Sequence, residues 1–207
     1  MHLGAPLCQP HTCICGKEVA PDGCHGLNCG QQIGHHPRHA EANTLIKRAL
    51  SQIDCPSLLE PKNLSNSQGL IPDGVTAFPY KQGKCLTWDF TCINTISDSY
   101  LLETAKEAGK AAEAAEKRKI SKYDKLLNNY HFIPIAVETL GAWGQEGLKF
   151  IKEIGEKIIQ KTNDKNATNY IIQAISLAVQ RGNAASIMGT LGHQRKLDDY
   201  FDIAIPK

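Results

Sequence analysis

Four absences narrow what these 207 residues can be. No apolar run approaches the roughly 18 residues that a membrane span needs. The stretch Met1 to Thr12 lacks the basic-then-apolar pattern of a secretory signal, so a nuclear or cytoplasmic protein is expected, neither secreted nor membrane-bound. Charge imbalance is also missing: 23 Lys and Arg against 21 Asp and Glu leave a formal net charge of +2. That excludes a histone-like polycation but leaves room for a local basic groove. No internal repeat recurs. At 42% hydrophobic, the chain can bury one sizeable core and carry an appendage.

What is present is uneven. Of eight cysteines and eight histidines, five and six respectively fall before residue 40. Without a secretory signal, a disulfide framework is the weaker reading. Zinc takes four soft or borderline ligands, commonly as two close pairs on tight turns. Cys13-Ile14-Cys15 before Gly16 makes one pair. His25-Gly26-Leu27-Asn28-Cys29, entered through Pro21-Asp22-Gly23, makes the other. The favoured set is Cys13, Cys15, His25 and Cys29; Cys24 could replace His25, and Cys8 or His11 could replace a member of the first pair. A segment this poor in large apolar residues has little else to order it. Cys55, Cys85 and Cys92 read as reduced core or strand thiols.

From Pro37 the pattern turns helical, with Ala42, Leu45, Ile46, Ala49, Leu50 and Ile53 on one stripe, until Pro56 stops it. Ser57 to Glu60 reads as a short strand, followed by an Asn/Ser/Gly-rich loop from Pro61 to Gly69. Val75–Tyr80 and Cys85–Ile93 read as a hairpin joined by Lys81-Gln82-Gly83-Lys84. Tyr100 to about Asn129, rich in Ala, Lys and Glu, predicts one long helix with Gly109 its weak point. His131–Thr139 predicts a fourth strand. Leu148, Ile151, Ile154 and Ile158, then Ile171, Ile172, Ile175, Ala178 and Val179, predict two amphipathic helices. The order implies an α/β or α+β fold, a small mixed sheet of about four strands flanked by helices, behind an N-terminal zinc knuckle. Three segments follow: 1–36 as the knuckle, 37–140 as the core, and 141–207 as a helical extension packed on it.

Asp73 enters the second strand and Asp89 sits mid-strand between Trp88 and Phe90. Aspartate disfavours strands and is costly to bury unpaired. The short hairpin connection lets Asp89 lie beside Asp73. Two such carboxylates form a hard-oxygen site of the kind Mg²⁺ takes, able to activate water against a phosphodiester. Glu60 is a third candidate acid and Glu41 a further one. Lys119 and Lys122 share a helix face and could offset phosphate charge, although spacing alone favours a solvated charge run.

Taken in order, these residues resemble a known family. The knuckle, Arg38-His39 opening a helix, Pro72-Asp73, strand-borne Asp89 and Lys119-Ile120-Ser121-Lys122-Tyr123 resemble the restriction-like endonuclease domain of site-specific non-LTR retrotransposon proteins. That domain belongs to the wider PD-(D/E)xK nuclease fold. The stretches His25–Cys29, Trp88–Thr91 and Gly182–Ala185 are similar to those of retroelement-derived invertebrate proteins. The resemblance spans about Cys13 to Gly192. It implies a restriction-endonuclease-like core and Mg²⁺-dependent nicking of duplex DNA, with element RNA or a reverse transcriptase part as further partners. Asp73 and Asp89 match the metal-binding acids, and Lys119 and Lys122 match the lysines that follow. Cys13, Cys15, His25 and Cys29 match the zinc knuckle, and Arg38 and His39 the basic pair after it. Lys47 and Arg48 are expected to join these two against the DNA backbone. The chain departs from the family at Ile71, where Lys or Arg is usual, and at Thr91, where the wider superfamily keeps its lysine. The Asp73–Asp89 spacing is also slightly long. A catalytically inactive, zinc-dependent nucleic-acid-binding or interaction module is the alternative expectation, with Trp88, Trp143 and the last helices as interaction surfaces.

Overall fold

The computed structural model describes residues 6–31, 34–64 and 71–191; the expected loop's residues 65–69 and positions 192–207 of the third segment lie outside them. Two short strands, β1 (His11–Thr12) and β2 (Glu18–Val19), pair antiparallel around the Cys13–Gly16 turn, and α1 (Cys24–Asn28) follows. Next come α2 (His35–Gln52), β3 (Ser57–Leu59), β4 (Gly74–Lys81), β5 (Lys84–Ile93), α3 (Leu101–Thr104) and α4 (Lys110–Lys122). β6 (Tyr130–Glu138), α5 (Gln145–Thr162) and α6 (Ala167–Met188) complete the described chain.

β3 to β6 form one mixed sheet in sequence order. The first three strands are antiparallel, and β5 and β6 run parallel with α4 as their crossover. The β4–β5 turn places Gln82 and Gly83 at φ of 50° and 72°, the paired left-handed residues that match the twist of a tight hairpin. Alternation then gives β5 two faces. Leu86, Trp88 and Phe90 enter the main core with Ile135 and Val137 of β6. Against them pack Ala42, Ile46 and Leu50 of α2, Ile151, Ile154 and Ile158 of α5, and Ile171, Ile175 and Val179 of α6. The two last helices are thus part of the same core as the sheet. The opposite face meets α4, where Ala112 and Ala115 pack on Ala136.

One expected element is corrected. The stretch 100–129 is not a single helix but α3, a turn, α4 and a 3-10 segment at Asp124–Asn128. Composition alone runs through Gly109, but its backbone takes φ 91° and sits close under the Trp143 carbonyl, which an L side chain would not tolerate. α4 therefore starts afresh at Lys110, with the buried Glu138 carboxylate accepting from the Ala111 and Ala112 N–H groups at 3.0 and 3.4 Å. At its other end Tyr123 leaves helical geometry, at φ −107° and ψ 22°. α2 also begins two residues earlier than expected, at His35.

Candidate functional site

The knuckle is built locally. The β1–β2 turn presents Cys13 and Cys15, while α1 presents His25 and ends at Cys29. Their four ligand atoms all lie within 4.8 Å of one another, close enough to hold a metal such as zinc. Cys13 and Cys29 Sγ are 3.8 Å apart, and Cys15 Sγ lies 3.3 Å from His25 Nε2. A tetrahedral zinc shell separates its ligand atoms by roughly 3.5–3.8 Å. Cys13 and Cys29 are buried, and burial pushes the Cys13 thiol up. A backbone hydrogen bond from Lys17 lowers Cys15 toward the thiolate form. The substitute ligands fall away. The Cys24 thiol is pushed up to about 11 by burial and Asp22, its Sγ turned to the Asp22 carbonyl. Cys8 Sγ faces the Ala20 and Pro21 carbonyls. Both His11 nitrogens are engaged, with the Gln9 carbonyl and the Thr190 hydroxyl.

The acidic residues lie where β4 begins beside β5. Asp73 N–H donates to the Trp88 carbonyl, and Phe90 N–H donates to Asp73 Oδ2 at 2.6 Å. His39 Nε2 meets that same Oδ2 at 2.9 Å. Asp89 is turned into the protein, with Lys119 Nζ 2.6 Å from Oδ1 and the Tyr123 hydroxyl donating to Oδ2 at 2.8 Å. Burial and the neighbouring Asp73 carboxylate push the Asp89 pKa up, against Lys119 and Tyr123, which pull it down. The hydrogen bond to Asp73 raises His39 despite its partial burial. Burial and Asp89 raise the Tyr123 phenol, so it stays a donor. A groove of about 320 Å³ runs alongside, between His35, His36, Arg38 and His39 of α2 and Phe90, Thr91 and Cys92 of β5.

A buried relay fixes one member of this cluster. Indole Nε1 can only donate, and Trp88 Nε1 donates to Asn43 Oδ1 at 2.9 Å. Asn43 must therefore turn its amide nitrogen to His39 Nδ1, 3.3 Å away, leaving the Nε2 hydrogen of the neutral ring for Asp73.

The remaining expected residues are placed as follows. Lys122 is exposed, one turn beyond Lys119. Glu60 is also exposed: its N–H bonds the Asp73 carbonyl, but a backbone at φ 49° ends β3 there. Lys47 and Arg48 line a shallow depression on α2 with Ser51 and Leu59. Arg38 is a correction. Instead of standing free for a DNA backbone, it is 4% exposed, and its Nη1 donates to Asn183 Oδ1 at 2.7 Å. Asn183 in turn donates to the Thr139 carbonyl at 2.7 Å, so the trio ties α2 and α6 to the end of β6. Trp88, expected as an interaction surface, is fully buried.

Sequence reasoning missed Asn43 and gave Tyr123 no role. Asn43 stands four residues after His39, on the stripe that otherwise reads as core, and that spacing was the available signal. No protein-family model matches the chain, and no curated protein matches it.

Proposed function

We propose that this protein is a metal-dependent endonuclease that hydrolyses phosphodiesters in duplex DNA, with the knuckle as a structural zinc site. The observation that carries the reading is the group Asp73, Asp89 and Lys119, drawn from the entry to β4, from β5 and from the crossover helix, with Lys119 Nζ 2.6 Å from Asp89. Its likeness to the restriction-like endonuclease domain of non-LTR retrotransposon proteins, in residue order, supports the same reading.

The donor set is of the kind Mg²⁺ takes, two carboxylates whose neighbours His39 and Phe90 line the groove. Asp73 and Asp89 would hold the ion, which when bound supplies Lewis-acid polarisation of a phosphate oxygen and a water of lowered pKa. The chain's own residues do the positioning. Phe90 N–H and His39 fix Asp73, and Tyr123 fixes Asp89. Lys119 brings positive charge to where a phosphate's charge would build. It takes the place of the lysine that Thr91 does not supply. His39 borders the groove and faces the strand that would enter it.

Nicking of supercoiled plasmid in Mg²⁺ or Mn²⁺ tests this. Asp73→Ala is expected to lower nicking by at least roughly a hundredfold, with circular dichroism verifying the fold. Undiminished nicking by the variant would place any activity elsewhere.

One observation favours a second reading, a nucleic-acid-binding module without turnover. Both Asp89 oxygens are already satisfied by Lys119 and Tyr123, and Ile71 stands where a cation would contact phosphate. That module binds DNA in a salt-sensitive way, keeps binding in Asp89→Asn, and cleaves in no divalent metal.

A further inference from the structure

Two carboxylates meet where β4 begins beside β5, and three of their four oxygens are taken. Asp73 Oδ2 accepts from the Phe90 N–H and meets His39, Asp89 Oδ2 accepts from the Tyr123 hydroxyl, and Asp89 Oδ1 holds Lys119 Nζ at 2.6 Å. Asp73 Oδ1 has no hydrogen bond or ion pair among the described residues. Asp73 is bonded on both sides of Asp89, through its N–H to the Trp88 carbonyl and through its carboxylate to the Phe90 N–H, so the two acids stand side by side. Like charges so placed oppose each other's ionisation, and with burial the Asp73 charge raises the Asp89 pKa. A buried carboxylate needs a counter-charge, and Lys119 supplies it.

That ammonium and a divalent cation compete for the same oxygen. One of the two side chains must yield, and their surroundings decide which. Asp89 is 5% exposed and is held at Oδ2 by Tyr123, so it has nowhere to turn. Lys119 is 25% exposed, on a flexible four-carbon stem in the last turn of α4, and can swing outward. We infer that Lys119 is an exchangeable counter-ion of Asp89: it gives up Oδ1 when a divalent cation binds, and only then is its ammonium free to meet a phosphate. Binding is therefore ordered, cation before DNA, and Lys119 weakens cation affinity while serving the reaction. This rests on the reading of Asp73 and Asp89 as the metal-holding acids. It makes the satisfied oxygens of Asp89 a regulated state of that site rather than a sign of lost turnover.

Mn²⁺, which takes the same oxygen ligands and is paramagnetic, is the probe. Its binding to the full chain is followed by electron paramagnetic resonance at about pH 8, well above the ordinary carboxylate range. Lys119→Gln is expected to bind Mn²⁺ about tenfold tighter, yet to nick supercoiled plasmid at least roughly a hundredfold more slowly. A residue that only held the fold would lower both. Tyr123→Phe removes a neutral donor from the same carboxylate and should not tighten binding. A second measurement needs no variant at Lys119. Reductive methylation of the wild type, read by peptide mass spectrometry, should label Lys119 faster as Mn²⁺ is added, at the midpoint of the binding curve, and Asp73→Ala should remove that response. Unchanged or weaker Mn²⁺ binding in Lys119→Gln overturns the inference. Equal tightening in Tyr123→Phe, binding that Asp73→Ala leaves intact, or labelling of Lys119 indifferent to Mn²⁺ does so too. The nuclease reading fails separately: a wild type that shows the exchange at Asp89 but nicks DNA in no divalent metal refutes that reading and supports the exchange.

Discussion

His131 shows how a single side chain can set a pH dependence. It stacks on Tyr80 at 6.4 Å with the rings 16° apart, beside the Lys81 that ends β4. Burial, then Lys81 and with it Lys84, lower its pKa below the ordinary 6.5, while Glu153 opposes them. A histidine depressed in the fold favours the neutral ring there. Its contribution to stability is therefore present above about pH 6.5 and is lost as pH falls through the lower, folded value. His131→Phe keeps the stack and removes the titration. Calorimetric melting of the wild type should consequently fall more steeply than that of the variant as pH drops below 6.5. Parallel melting curves would show that the ring carries no such linkage. At the same scale, Arg38 illustrates what a sequence withholds. An Arg-His pair opening a helix reads as surface charge, and only the fold brings in Asn183, 145 positions away, to satisfy the guanidinium.

Among the elements, β4 and β5 were the most readable, because alternation, the Gln82-Gly83 turn and the strand lengths all agree. The register they adopt puts Gly74 opposite Trp88. A Cβ on Gly74 would overlap the Trp88 ring at Cζ2 and Cη2. The indole is fully buried and is also anchored by Asn43. Gly74→Ala should thus cost about 2–3 kcal/mol in urea unfolding and change the near-ultraviolet dichroism of tryptophan. A loss under about 0.5 kcal/mol would mean that β4 can shift at its start without harm. The long helix expected at 100–129 was misread for the complementary reason. Local propensity favours continuity, and the break comes from tertiary partners: Trp143 above Gly109, and Glu138 capping α4. At the other end of α4 Tyr123 leaves helical geometry and reaches Asp89, so the cluster was legible in Asp73, Asp89 and Lys119 and not in its tyrosine.

For the molecule as a whole, the knuckle is fastened to the helical side of the core rather than tethered to it. The Gly26 backbone lies against that of Ile187 near the end of α6, and His11 bonds the Thr190 hydroxyl at 2.9 Å. A metal held by Cys13, Cys15, His25 and Cys29 therefore stabilises more than its own loops. Chelation is expected to release one zinc per chain and to lower the melting temperature by roughly 5 °C or more, with Cys13→Ser reproducing the shift without chelator. Metal analysis that finds no zinc, together with a melting temperature indifferent to chelator, would count against the four-ligand site. The ligand spacing made this centre readable from sequence, since all four residues fall within one short stretch. Its docking was not readable, because nothing in that stretch announces α6.

The His11–Thr190 contact has a consequence for the order of events at the ribosome. All four knuckle ligands emerge close together and well before α6, so a metal could be captured as soon as Cys29 is free of the exit tunnel. The surface on which the knuckle rests is made 179 residues after His11. At about 5–20 residues per second of synthesis, the loaded knuckle waits on the order of ten seconds or more for its seat. During that interval it must be stable on its own coordination alone.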